Sequence, residues 1–181
     1  AELAQTLKPS IELKKYEIKI NQEGKTEYYD IGSHGEGLAF SQVNNSVNQL
    51  LVDETLKQIK SLIPTDFSGL MTELYAGAGN FTFALAQAFT KMKIEAVELN
   101  HRLTAAAVEI VKTKKLIKQV TFFTTKVETF AFHQPLSSKI ILLDPPRSGC
   151  LPEVIRRIAD KKPEHIVYVS CHPTMLARDI A

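Results

Sequence analysis

Cysteine is scarce: only Cys150 and Cys171 occur among 181 residues. Two thiols are too few for a disulfide framework or a four-cysteine metal site, so each has to be judged alone and no metal is expected. Long apolar runs are missing as well. Nothing approaches the roughly 18 residues of a membrane span, and the first residues lack the basic-then-apolar pattern of a signal peptide, so a soluble, cytoplasmic chain with no membrane partner is expected. An excess of one charge is likewise lacking. The net charge is +2, which by itself announces no nucleic-acid partner. Lys112, Lys114, Lys115 and Lys118 form one basic cluster and Arg156, Arg157, Lys161 and Lys162 another. Both read first as solvated helix faces, although either could meet phosphates. There is no internal repeat or low-complexity tract.

At 44% hydrophobic, the chain has enough apolar material for one packed domain of ordinary size with a small appendage. Ile11, Leu13, Ile18 and Ile20 alternate among Glu and Lys, and Asn21-Gln22-Glu23-Gly24-Lys25 offers a turn before Thr26-Glu27-Tyr28-Tyr29. That pattern predicts a β-hairpin, placed as an appendage over residues 1–36, with the main domain over 37–181. Gly32, Gly35 and Gly37 loosen the chain before Leu38-Ala39-Phe40. Asn45 or Ser46 could then cap a helix carrying Val52, Leu56, Ile59 and Ile63 at 4-3-4 spacing, punctuated by Pro64 and Gly69.

Beyond Gly69 the pattern changes to strands alternating with helices. Strands are predicted at 70–75, 94–98, 120–124, 140–143 and 166–170, with helices ending near Phe89, running from about His101 to Lys115, and near 152–160. Short, nearly all-apolar strands separated by helices indicate a parallel sheet covered on both faces. Right-handed crossovers then give a doubly wound, Rossmann-like α/β domain.

In such a sheet ligands bind beyond the carboxyl ends of the strands. After the first strand of the domain comes Glu73-Leu74-Tyr75-Ala76-Gly77-Ala78-Gly79-Asn80-Phe81, where two glycines let backbone approach a ligand and a helix N-terminus supplies amide donors. The next strand ends at Glu98, 21 residues after Gly77, the spacing at which a carboxylate commonly holds ribose hydroxyls. A dinucleotide fingerprint would want a third glycine where Thr82 stands, so a nucleoside cofactor without a pyrophosphate, S-adenosylmethionine, suits the segment better. The alternative for the turn alone is purely structural use. Further along, Ile140-Ile141-Leu142-Leu143 runs into Asp144-Pro145-Pro146-Arg147-Ser148-Gly149, where two prolines stiffen the exit and fix Asp144 at the crevice. The last strand delivers Cys171 to the same rim. A buried cysteine is usually an inert small hydrophobe, but this one stands where a nucleophile would.

Three segments, Leu74 to Thr82, Asp144 to Gly149, and Tyr168-Val169-Ser170-Cys171-His172-Pro173-Thr174-Met175-Leu176-Ala177-Arg178-Asp179, resemble in order and spacing the signature motifs of the RNA 5-methyluridine methyltransferases. Phe40-Ser41-Gln42-Val43-Asn44 is similar to the segment that precedes the cofactor domain in that family. The resemblance spans about Gly37 to Asp179. It implies a class I S-adenosylmethionine-dependent enzyme acting on a uridine of tRNA or rRNA, and a monomer is expected. It also implies cofactor contacts from Gln42, Tyr75, Gly77, Asn80, Glu98 and Asp144, and a catalytic nucleophile at Cys171. Two positions depart from the pattern: Lys126 and His172 each stand where members of the family carry Asn. The family's general base is a glutamate downstream of the nucleophile, whereas the sequence stops ten residues after Cys171. A fragment is therefore expected: a hairpin left over from a central domain, a methyltransferase domain without its last strands or its base, and poor turnover alone.

The residue types fit the chemistry. Carbon 5 of uracil is too poor a nucleophile to be alkylated directly, and a thiolate added at carbon 6 makes the ring an enolate with electron density at carbon 5. An ordinary thiol is only a few per cent ionised at neutral pH, and Arg147 and His172 are candidates to assist it. Two other readings stay open: an amino-group methyltransferase in which Asp144-Pro145-Pro146 binds the target, and a non-catalytic module that binds S-adenosylmethionine or RNA.

Overall fold

The computed structural model describes residues 21–22, 25–26 and 45–181. Strands β1 (Asn21–Gln22) and β2 (Lys25–Thr26) pair antiparallel, Asn21 opposite Thr26 and Gln22 opposite Lys25. The ladder thus closes nearer the turn than the sequence suggests, with only Glu23 and Gly24 between the strands. The alternating segment 11–20, the boundary at 36/37 and Gln42 lie outside the described residues.

Helix α1 (Asn45–Leu62) carries out its 4-3-4 pattern: Val52, Ile59 and Ile63 are buried and Leu56 is packed against the same cluster. The alternation of strand and helix then follows as β3 (Leu70–Leu74), α2 (Asn80–Ala88), β4 (Lys93–Glu98), α3 (His101–Thr113), β5 (Val120–Thr124), α4 (Val127–His133), β6 (Ile140–Leu143), α5 (Pro152–Lys161), β7 (His165–Tyr168) and α6 (Pro173–Ile180). Among the described residues, five strands form one parallel sheet in the order β5-β4-β3-β6-β7. The predicted doubly wound α/β fold is therefore observed. Its switch point, where the strand order reverses, lies between β3 and β6, and such reversals open the crevice in which ligands bind.

Both faces of the sheet are covered. Ile140 and Leu142 pack with α1, α2 and Val111 of α3, whereas Ile141 and Leu143 pack with Val127 and Phe130 of α4 and Val154 and Ile158 of α5. All four β6 side chains are fully buried, and burying such a side chain contributes about 1.5–3 kcal/mol. A polar residue in β6 would be costly on either face, which is why the strand reads as an unbroken apolar run.

Two helices went unpredicted. Helix α4 has only seven residues and marks itself by Val127, Phe130 and Ala131 alone. Helix α6 starts with Pro173 at its first turn, and its one buried residue is charged, Asp179. Strand β7 stops at Tyr168, two residues short of the expected end, although the Val169 amide still donates to the Leu143 carbonyl at 2.8 Å.

Candidate active site

The turn after β3 is built from left-handed backbone. Tyr75 (φ 66°), Gly77 (φ 58°) and Gly79 (φ 92°) all have positive φ, a conformation that costs a side-chain-bearing residue such as Tyr75 about 1–2 kcal/mol. The two glycines serve different ends. A Cβ on Gly79 would lie 2.6 Å from the Phe83 ring and 3.1 Å from Phe122, so its absence lets α2 pack. A Cβ on Gly77 would meet nothing within 4 Å. Only Gly77 therefore offers bare backbone to open space at the rim, whereas the sequence suggested that both glycines do.

Glu98 is set for binding by its own neighbours. Its Oε2 accepts from the Gly77 amide at 3.0 Å and its Oε1 from the Asn100 amide at 2.7 Å. Each carboxylate oxygen has a second lone pair, so two hydroxyls could be received without disturbing these bonds. The carboxylate and the open glycine are thus one unit, 21 residues apart in sequence and hydrogen-bonded in space. Asn80 begins α2, and its amide group makes a reciprocal pair with Asn48 of α1, 2.9 Å in each direction.

The sequence reading overlooked Glu73. This residue of β3 is fully buried, and its Oε2 accepts from the Thr82 hydroxyl at 2.5 Å. Its Oε1 is buried with no hydrogen-bond partner among the described residues. Burial pushes its pKa up to about 8, against the opposing Thr82 hydrogen bond and with help from the charge of Asp144, so Glu73 is mostly neutral at pH 7. Asp144, whose amide donates to the Leu74 carbonyl at 3.3 Å, sits at the end of β6 beside the end of β3. Burial raises its pKa to about 6. An orphaned carboxyl oxygen inside the sheet and a second, half-buried carboxyl thus stand near one another at the switch point, and a buried acceptor without a partner is a feature to be explained. A glutamate inside a strand that is buried along most of its length, with Thr82 nine positions on, was the available signal.

The two thiols separate cleanly. Cys150 is buried and Cys171 is exposed. Leu143 of β6 faces Tyr168 of β7, so Cys171 lies three residues past Tyr168 on the same rim as Asp144. The turn that bears it is tied locally: the His172 amide donates to Ser170 Oγ at 3.0 Å, and Ser170 Oγ donates to the His172 carbonyl at 3.2 Å. His172 caps α6, its Nδ1 accepting from the Met175 amide at 3.3 Å. A cap of this kind is what an Asn side chain also makes, so the His at this position keeps the local structure, and its Nδ1 lone pair is committed to the helix. Tyr75 is half-buried, and burial, reinforced by Cys150, holds its hydroxyl well above the ordinary tyrosine range. Lys126 is exposed at the N-terminus of α4, and Arg147 is half-buried in the loop after β6. Among the described residues no group of three or more His, Cys, Asp or Glu could hold a metal ion, and no helix is long and apolar enough to cross a membrane.

A family model described as tRNA (uracil-5-)-methyltransferase matches residues 8–181. The chain is 36% identical over 175 residues to an uncharacterized RNA methyltransferase of Bdellovibrio bacteriovorus, covering 93% of the chain and 41% of that protein. It is also 36% identical over 175 residues to the 23S rRNA (uracil(1939)-C(5))-methyltransferase of Salmonella choleraesuis, covering 90% of the chain and 37% of that protein. The chain thus spans about two fifths of the length of these curated relatives. Its fold is similar to that of the Pyrococcus abyssi tRNA (uracil-54, C5)-methyltransferase solved in complex with S-adenosyl-L-homocysteine, with a TM-score of 0.63 and 24% identity over 78% of the chain and 33% of that protein.

Proposed function

The chain belongs to the tRNA (uracil-5-)-methyltransferase family, and from that premise we propose that it carries the cofactor site and the nucleophile of an enzyme that methylates carbon 5 of a uridine in tRNA or rRNA. When bound, S-adenosylmethionine supplies an electrophilic methyl group. The residues on the rim fit such a molecule. Glu98, already aligned by two amides, would receive the ribose hydroxyls, and Gly77 leaves room for close approach. Asn80 and Tyr75 stand on the same turn, and the half-buried carboxyl of Asp144 offers an acceptor for the ammonium of the amino-acid tail.

Cys171 acts on the RNA. Its thiolate adds to carbon 6 of the uracil, the carbon 5–carbon 6 π pair moves into an enolate through carbonyl oxygen 4, and carbon 5 becomes nucleophilic. After alkylation at carbon 5, loss of the proton there restores the double bond and expels the thiolate. Holding both reactants in one crevice makes the alkylation effectively intramolecular.

The observation that carries this reading is the exposure of Cys171 past the end of β7, whereas Cys150 is buried. The test is methylation of tRNA and rRNA by the full-length protein with either thiol removed. Cys171→Ala should abolish transfer and Cys150→Ala should leave most of it. Undiminished methylation by Cys171→Ala would favour an amino-group target instead.

A further inference from the structure

Helix α6 follows the Cys171 turn, and Met175, Leu176 and Ile180 are half-buried on the face that also carries Asp179. Its single buried residue is Asp179, and an isolated helix of eight residues has no stability of its own. Polar bonds tie that face to the domain. Asp179 Oδ2 accepts from the Cys150 amide at 2.7 Å and from the Tyr168 hydroxyl at 2.6 Å. Its Oδ1 accepts from Arg178 Nε at 2.8 Å and from Arg178 Nη2. Arg178 Nη2 reaches on to the carbonyls of Ser148 at 3.1 Å and Cys150 at 2.9 Å.

Three segments of the chain therefore meet at one carboxylate: the loop that leaves Asp144, the end of β7, and α6. The fit leaves no slack. Gly149 has φ 75°, and a Cβ there would lie 2.6 Å from both Arg178 Nη2 and Asp179 Oδ2. The Tyr168 hydroxyl lies 3.8 Å from Cys150 Sγ, and Tyr75 of the β3 turn is close enough to Cys150 for each to influence the other's proton. Burial pushes the Asp179 carboxyl up, and its bonds to Tyr168, the Cys150 amide and Arg178 outweigh that and hold it below the usual range, so the group is ionised throughout the neutral region.

We propose that Asp179 and Arg178 are positioning residues: together they clamp the Cys171 turn to the Asp144–Gly149 loop and so set the distance between the nucleophile and the cofactor pocket. Neither touches the reacting atoms. Their contribution is geometric, and misplacing a reacting group by about 1 Å can lower a rate about 100-fold. The inference rests on Cys171 being the nucleophile.

The test uses full-length protein and RNA containing 5-fluorouridine, which traps the covalent adduct. In Asp179→Asn one acceptor oxygen and the side-chain shape persist, but the charge that holds Arg178 is gone. Adduct formation should slow about 100-fold, with affinity for S-adenosylhomocysteine, read by titration calorimetry, within about threefold of wild type. Alkylation of Cys171 by iodoacetamide should be at least as fast as in wild type. Arg178→Lys, which cannot bridge a carboxylate and two carbonyls at once, should lie between the two. Gly149→Ala, which drives the knot apart from the other side, should reproduce the loss if Asp179→Asn fails to fold. Adduct formation in these variants within threefold of wild type would overturn the clamp. So would cofactor affinity falling in parallel with the rate. If wild-type protein forms no adduct through Cys171, the nucleophile reading fails first and the clamp fails with it.

Discussion

Replacing Glu73 by glutamine isolates a single buried ionisation. Glu73 has no exposed surface and a pKa pushed from 4.5 up to about 8. Because the folded-state value lies above the unfolded one, this group's contribution to stability is fully present below pH 4.5 and is lost progressively as the pH rises toward 8. Each unit of difference between the two states corresponds to about 1.4 kcal/mol. Between pH 5 and pH 7 the ionisable side chain should therefore cost the wild type roughly 2–3 kcal/mol that the glutamine variant does not lose. The amide oxygen of the glutamine can still accept from Thr82, so the comparison leaves that hydrogen bond in place. The assay is urea denaturation of both proteins at pH 5, 6, 7 and 8. The stability of Glu73→Gln relative to wild type should climb by about 1.4 kcal/mol per pH unit through the middle of that range and level off above pH 8. A difference that stays constant with pH would refute the reasoning, because it would mean that Glu73 ionises equally well in the folded and unfolded chain.

The remaining expectations concern the rim. Gly79→Ala should destabilise the fold by about 1–3 kcal/mol, since its Cβ collides with two rings. Gly77→Ala meets no atom and should cost only about 1 kcal/mol of backbone strain while weakening S-adenosylhomocysteine binding; thermal unfolding and calorimetry on both variants give the comparison. His172→Ala should cost about 0.5–2 kcal/mol through loss of the α6 cap and His172→Asn close to nothing, as read by chemical denaturation. Equal losses in the two would show that capping is not what the imidazole does.

The parts of the fold that local chemistry dictates were legible in the sequence. Every strand of the sheet is a short, largely apolar run, and the residues that follow the first, second and fourth strands of the sheet announce themselves as glycine, acid and Asp-Pro-Pro. Gly77 and Glu98 were read as one site from spacing, and they are hydrogen-bonded. What escaped depends on partners distant in the chain. Asn80 meets Asn48 from 32 residues away and Asp179 meets Cys150 from 29. Helix α6 escaped because it has only eight residues, and the one it buries, Asp179, is charged. Glu73 was hidden because a strand pattern is read from its apolar members, and a buried carboxyl shows only once its neighbours are placed.

The most direct test of the covalent mechanism is to incubate the full-length protein with S-adenosylmethionine and RNA carrying 5-fluorouridine, digest the product, and locate the attached nucleotide by mass spectrometry. Fluorine on carbon 5 leaves no proton to remove, so the thioether should persist, with a methylated fluorouridine joined to the peptide that contains Cys171. A methylated RNA with no protein attached, or an adduct on any other residue, would contradict the account.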